Sequence, residues 1–86
     1  MILRRRRQEL NLHLANIAQA LDVTPEAISM WERGRRRMDL DKLPTIAQVL
    51  RLQQSDFCLM AIYHFHPAVY TAVFGQKTPS LPRPVM

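Results

Sequence analysis

The stretch from Leu14 to Glu32 narrows the fold more than any other feature of the chain. Leu14, Ile17, Ala18 and Leu21 recur at i, i+3, i+4 and i+7, the stripe of a helix with one buried face. Three residues later a second helix announces itself. Thr24 suits the cap position, Pro25 the first helical position where a missing N–H costs nothing, and Glu26 the positive end of the helix dipole. Ile28 and Trp31 face inward, and Gly34 stops the helix. The joint between the two helices must therefore be tight. Asp22 takes the left-handed turn position, which Asp tolerates, and Val23 turns into the core. Ala18 is small where the helices have to cross closely.

Helical periodicity extends over the rest of the chain, and nothing alternates with the period of a strand. A first helix is expected over Ile2 to Leu10, ended by Asn11. After the loop 35–38, Asp39 is a candidate cap. A turn through Leu40 to Leu43 leads to a short helix begun by Pro44, with Ile46, Ala47 and Leu50 inward. From Ser55 the pattern changes. Phe57, Cys58, Leu59, Met60, Ala61, Ile62, Tyr63 and Phe65 place apolar groups around the whole helix, which then needs cover on all sides. His66-Pro67 interrupts it, and Pro67 can open a last helix, Ala68 to Phe74, closed by Gly75. Residues 76–86, with three of the chain's six prolines, are expected to be a disordered tail. Three segments are expected: 1–54 as the core domain, 55–75 as a helical dimerisation element and 76–86 as the tail.

Charge is unevenly distributed. The net charge is +5, and eight of the ten arginines fall in the first 37 residues, as Arg4-Arg5-Arg6-Arg7 and as Arg33 with Arg35-Arg36-Arg37. Arginine clustered in this way is the electrostatic footprint of a phosphate partner, although solvated charged faces would look the same in composition alone. The longest apolar run, Phe57 to Tyr63, is far below the ~20 residues of a spanning helix, so no membrane association is expected. The arginines at the start lead into a polar helical pattern and not an apolar run, so no signal peptide is expected and the cytoplasm is the expected compartment. Cys58 is the single cysteine, which excludes an internal disulfide and fits a reducing compartment.

Several residues together resemble a known family. Ile28-Ser29-Met30-Trp31-Glu32-Arg33-Gly34-Arg35 is similar to the signature of the phage-repressor, Cro and Xre-type helix-turn-helix domain. Ile17 to Thr24 and Leu40 to Leu50 resemble the segments that flank it, and the likeness runs from Leu3 to Phe57. Three positions depart from the pattern: Leu14 stands for a Gln, Asp22 for the turn Gly, and Arg33 for an Asn.

The resemblance implies an all-α, lambda-repressor-like five-helix domain, here with an extra C-terminal helix for dimerisation. It implies that the helix 25–33 lies in the major groove of double-stranded DNA, with Pro25, Glu26, Ala27, Ser29, Met30 and Arg33 toward the bases. Arg4, Arg5, Arg35, Arg36 and Arg37 are the expected phosphate contacts. Arg7 and Glu32 are expected to form a structural salt bridge that orients the recognition helix. Phe57, Phe65, Val69, Tyr70, Val73 and Phe74 are the expected dimer interface, because a single copy would expose such residues.

The function so implied is a homodimeric repressor on a palindromic operator, of prokaryotic, phage or plasmid origin. A second class stays open, an antitoxin whose C-terminal helices bind a toxin protein, since many antitoxins share this domain. Enzymatic activity is not expected: the carboxylates Asp22, Glu26, Asp39, Asp41 and Asp56 are scattered, and two glycines cannot make a phosphate loop. No cofactor is expected. Cys58, His64 and His66 are too few, and Cys58 and His64 fall on different helix faces, so no metal site is expected either.

Overall fold

A computed structural model describes residues 3–85, and every regular element among them is helical. In chain order these are α1 (Leu3–Glu9), α2 (Leu14–Leu21), α3 (Pro25–Glu32), a 3-10 turn (Leu40–Lys42), α4 (Leu43–Val49), α5 (Gln54–Phe65) and α6 (Pro67–Phe74). The all-α class and the order of helices agree with the expectation. Ile2, expected to begin α1, lies outside the described residues. The chain divides into two compact units, Met1–Arg37 and Met38–Met86.

The first unit is organised by its chain reversals. Asn11 (φ 56°) and Asp22 (φ 56°) both take the left-handed conformation, and Gly34 (φ 69°) follows α3. At the α2–α3 joint, the Val23 N–H bonds the Ala18 carbonyl at 3.0 Å, so the chain leaves α2 abruptly. Thr24 then caps α3, its hydroxyl oxygen accepting from the Ala27 N–H at 3.2 Å, with Pro25 as the next residue. This local chemistry turns α3 against α2, and the two helices pack on each other. Ile17, Ala18, Leu21, Ile28 and Trp31 are buried, as their spacing requires. Burial leaves Trp31 Nε1 without a hydrogen-bond partner, a cost of roughly 1–3 kcal/mol that the buried indole ring must offset.

In the second unit α4 packs on α5 and α5 on α6. Phe57, Ala61, Ile46, Ala47 and Leu50 are inaccessible to solvent, and Met38, Leu43, Met60, Phe65 and Tyr70 are nearly so. The break at His66 is fixed by its ring, whose Nε2–H donates to the Met38 carbonyl at 3.0 Å. Tyr70 lies edge-on to Tyr63 and tilted against Phe74, with ring centroids 5.1 and 5.0 Å away.

These contacts correct the expected dimer surface. Phe57, Phe65 and Tyr70 are covered within a single chain, because α4 and α6 enclose most of α5. Of the expected interface residues, Val69, Val73 and Phe74 on α6 remain exposed.

The expected disordered tail is also corrected at its end. Leu52 and Pro84 form an isolated antiparallel bridge. Gln53 N–H donates to the Arg83 carbonyl and Val85 N–H to the Arg51 carbonyl, both at 2.8 Å. The Arg83 guanidinium grips Asp56 through Nε (2.7 Å) and Nη2 (3.4 Å), and the Arg83 N–H adds a bond at 3.2 Å. Prolines permit this docking because the N–H groups used belong to Arg83 and Val85, between and after Pro82 and Pro84.

The clasp predicts a titration. The Arg83 guanidinium and main-chain N–H hold the Asp56 carboxyl below its usual range. Its folded-state pKa being depressed, the stabilisation is present above the unfolded-state value and is lost as pH falls through the folded one. Carbon-detected NMR should find Asp56 titrating lower in the native protein than in Arg83→Ala. Equal midpoints would contradict the clasp.

Candidate nucleic-acid interface

Two sides of α3 differ in environment. Ala27, Ile28 and Trp31 form its inner side and are buried. Pro25 and Glu26 are exposed, Ser29 and Met30 half-buried, and Arg33 exposed just past the helix end. Glu26, Ser29, Met30 and Arg33 follow one another at i, i+3, i+4 and i+7 and so share one outer face. Ala27 does not belong to it. Expected among the base-contacting residues, Ala27 is 6% exposed and turned inward beside Ile28, where no base edge could reach it. Arg33 Nε lies 3.4 Å from the Ser29 carbonyl, which draws the guanidinium back along the helix.

The orientation of α3 is fixed by a bond to α1. Arg7 donates through Nε (2.6 Å) and Nη2 (3.1 Å) to the two oxygens of Glu32, a bidentate pair. Its Nη1 donates to the Leu12 carbonyl at 3.1 Å, which ties the α1–α2 joint into the same network. Both side chains are largely withdrawn from solvent. The bonds to Glu32 outweigh burial and hold the Arg7 guanidinium above its usual pKa, so it is always charged.

The remaining arginines of this unit divide by environment. Arg4, Arg5, Arg35, Arg36 and Arg37 are exposed, as an expected phosphate contact must be. Arg6 is half-buried and reaches Glu9 at 3.7 Å. Residues 1–37 hold eight arginines against four carboxylates, and two of those carboxylates are already paired with arginine. The excess positive charge is thus carried by exposed guanidinium groups, suited to phosphate oxygens by their fork geometry. One feature escaped sequence reasoning. Asn16 Oδ1 accepts the His13 N–H at 2.7 Å and fastens the start of α2, where only the His-x-x-Asn spacing could have given a hint.

A helix-turn-helix family model matches residues 3–53, which spans α1 to the end of α4. The chain belongs to the helix-turn-helix family. Its members of Cro and Xre type are sequence-specific DNA-binding regulators, and the motifs at 17–24, 28–35 and 40–50 that carry the resemblance lie inside the matched segment. Comparison with curated proteins and with solved structures returns no significant match. Within the helix-turn-helix frame, Leu14 at the start of α2 is half-buried and has no side-chain donor for a phosphate. Among the described residues no group of three histidines, cysteines or carboxylates is arranged to hold a metal. Cys58 is half-buried, which pushes its thiol pKa up. No described helix is long and apolar enough to cross a membrane.

Removing one partner of the Arg7–Glu32 pair leaves the other charge buried without compensation. Arg7→Ala should therefore lower stability by about 3 kcal/mol, the lower end for such losses because the pair sits at the edge of burial. Replacing both residues with apolar ones of similar size should cost less than either single change. Urea denaturation at unchanged slope measures this. A single-variant loss below about 1 kcal/mol would mark the pair as solvent-screened.

Proposed function

We propose that this protein is a transcriptional repressor that binds a palindromic operator as a homodimer, with α3 and Arg33 in the major groove. The observation that carries this reading is the braced helix. Arg7 and Glu32 hold α3 from its inner end while Pro25, Glu26, Ser29 and Met30 stay free on the outer side. In helix-turn-helix complexes the second helix of the motif enters the groove and the first crosses the backbone. Glu26 would accept from a cytosine N4 amine, and Met30 would pack on a thymine methyl. Ser29 is a lesser hydrogen-bonding contact and Pro25 an apolar one. Arg4, Arg5, Arg35, Arg36 and Arg37 would bind phosphates.

The homodimer rests on the apolar face of α6. Val69 and Val73 are 45% and 65% exposed, and Phe74 lies beside them. A two-fold dimer on a palindrome places its two recognition helices on successive major grooves, about 34 Å apart. The same face supports a second reading, an antitoxin that buries α6 against a toxin. A stoichiometric second protein that copurifies with the chain would favour that reading; a homodimer that binds DNA unaided favours the repressor.

Selection from a random DNA pool is the direct test. The consensus should be an inverted repeat with half-sites one helical turn apart, or a small multiple. Glu26→Gln should change preference at one base pair per half-site by about 1–3 kcal/mol. A consensus without symmetry would sink the palindrome, and an identical one for both proteins would remove Glu26 from base reading.

The loop arginines predict a different signature. Arg35→Ala, Arg36→Ala or Arg37→Ala should each weaken specific and random DNA alike and reduce the slope of log K against log salt by about one. Fluorescence anisotropy across a salt series reads this. Three unchanged slopes would mean that the loop does not meet DNA.

A further inference from the structure

A groove of about 450 Å³ runs beside α6, wholly within the second unit. Tyr63 and His64 from the last turn of α5, Tyr70 and Thr71 from α6, and Gln76 and Lys77 just past it line the groove. Its volume falls among those of small-molecule sites, ~300–1,000 Å³. The aromatic wall is fixed before anything binds. Tyr63 stands edge-on to both His64 and Tyr70, with ring centroids 5.7 and 5.1 Å away, and Phe74 tilts against Tyr70 at 5.0 Å. Tyr70 is buried, whereas Tyr63 is 40% exposed and offers its ring to an occupant at little conformational cost.

Polar groups of one kind collect around that wall. The Tyr63 and Thr71 hydroxyls, the Gln76 amide and the Lys77 ammonium can all donate hydrogen bonds, and among the described residues none of them is bonded to a protein group. No carboxylate lines the groove. Residues 57–86 contain no Asp or Glu, and Asp56, the nearest in sequence, is held by Arg83. Lys77 thus stands at the groove with no carboxylate of its own segment to neutralise it. The complementary occupant brings a ring for Tyr63 and an anionic acceptor for Lys77.

We propose that this groove binds a small aromatic carboxylate, its ring against Tyr63 and its carboxylate on Lys77, with Thr71 and Gln76 donating to the remaining lone pairs. An ionised carboxylate only accepts, which suits a lining made of donors. Val69 and Val73 stand two residues before and after Thr71, each about 160° around the helix from it. Occupancy of the groove therefore leaves their face open, and the site does not depend on whether the chain forms a dimer.

Benzoate is the probe, titrated into the isotope-labelled full chain and followed by amide NMR. The signals of Thr71, Gln76 and Lys77 should move together and saturate with an affinity on the order of millimolar, as befits a ligand of so few atoms. Lys77→Gln should weaken binding about fivefold, and Lys77→Arg should restore it to within about twofold. Lys77 is exposed, so the rest of the spectrum should be unchanged in both variants. Benzyl alcohol, which keeps the ring, and acetate, which keeps the charge, should each bind about tenfold more weakly than benzoate. Equal affinity in Lys77→Gln, or benzyl alcohol binding as well as benzoate, would overturn recognition of the anion. Acetate binding as well would overturn recognition of the ring. Shifts that never saturate, or that appear only among residues 1–37, would remove the site.

Discussion

The bond between Arg7 and Glu32 governs the first unit, because it alone among the described interactions ties the side chain of α1 to that of α3 through two parallel charge-assisted bonds. A helix of eight residues is too short to hold its direction by propensity. Packing on α2 fixes which face of α3 is inward, but packing alone permits rocking about the contact. A planar guanidinium gripping a planar carboxylate restricts rotation, and the third bond to the Leu12 carbonyl fixes the α1–α2 joint as well. Under the proposed reading, recognition of base edges depends on placing side chains to within fractions of an ångström, so the brace would serve the reading surface as much as stability.

Chain direction is controlled by three residues other than glycine in the left-handed region, Asn11, Asp22 and Arg51. Asn and Asp take this conformation at modest cost because their short side chains can bond locally; for Arg51 the cost is higher. The compensation at Arg51 is visible. Leu52 N–H bonds the Ala47 carbonyl at 2.9 Å, and the Arg51 carbonyl accepts from Val85. The tail therefore holds in place the one turn for which the local sequence is least suited.

The helices, the turn and the brace could be read in the sequence because each leaves a local trace. Thr24-Pro25 marks a start, Asp22 and Gly34 mark ends, and the i, i+3, i+4 stripe fixes which residues turn inward. Arg7 and Glu32 came from the family pattern, since a pair 25 residues apart leaves no periodic signal. Three readings failed, two of them where the deciding contact is distant. Ala27 was expected outward although it sits beside Ile28 on the inner row, a small residue whose side is set by its neighbours. Phe65 and Tyr70 looked unburied because α5 is apolar on all sides, and only the fold of α6 back onto α5 covers them. The tail looked disordered from its prolines, whereas its order comes from Asp56, 27 residues away from Arg83.

Trp31 carries a consequence of another kind. It is the sole tryptophan of the chain, it lies on α3, and its indole N–H is buried without a partner. Emission from an indole in a dry, apolar setting lies toward the blue and shifts red when water or a hydrogen-bond acceptor reaches the ring. The protein therefore has a built-in optical reporter on α3, so loosening of that helix can be followed without a label.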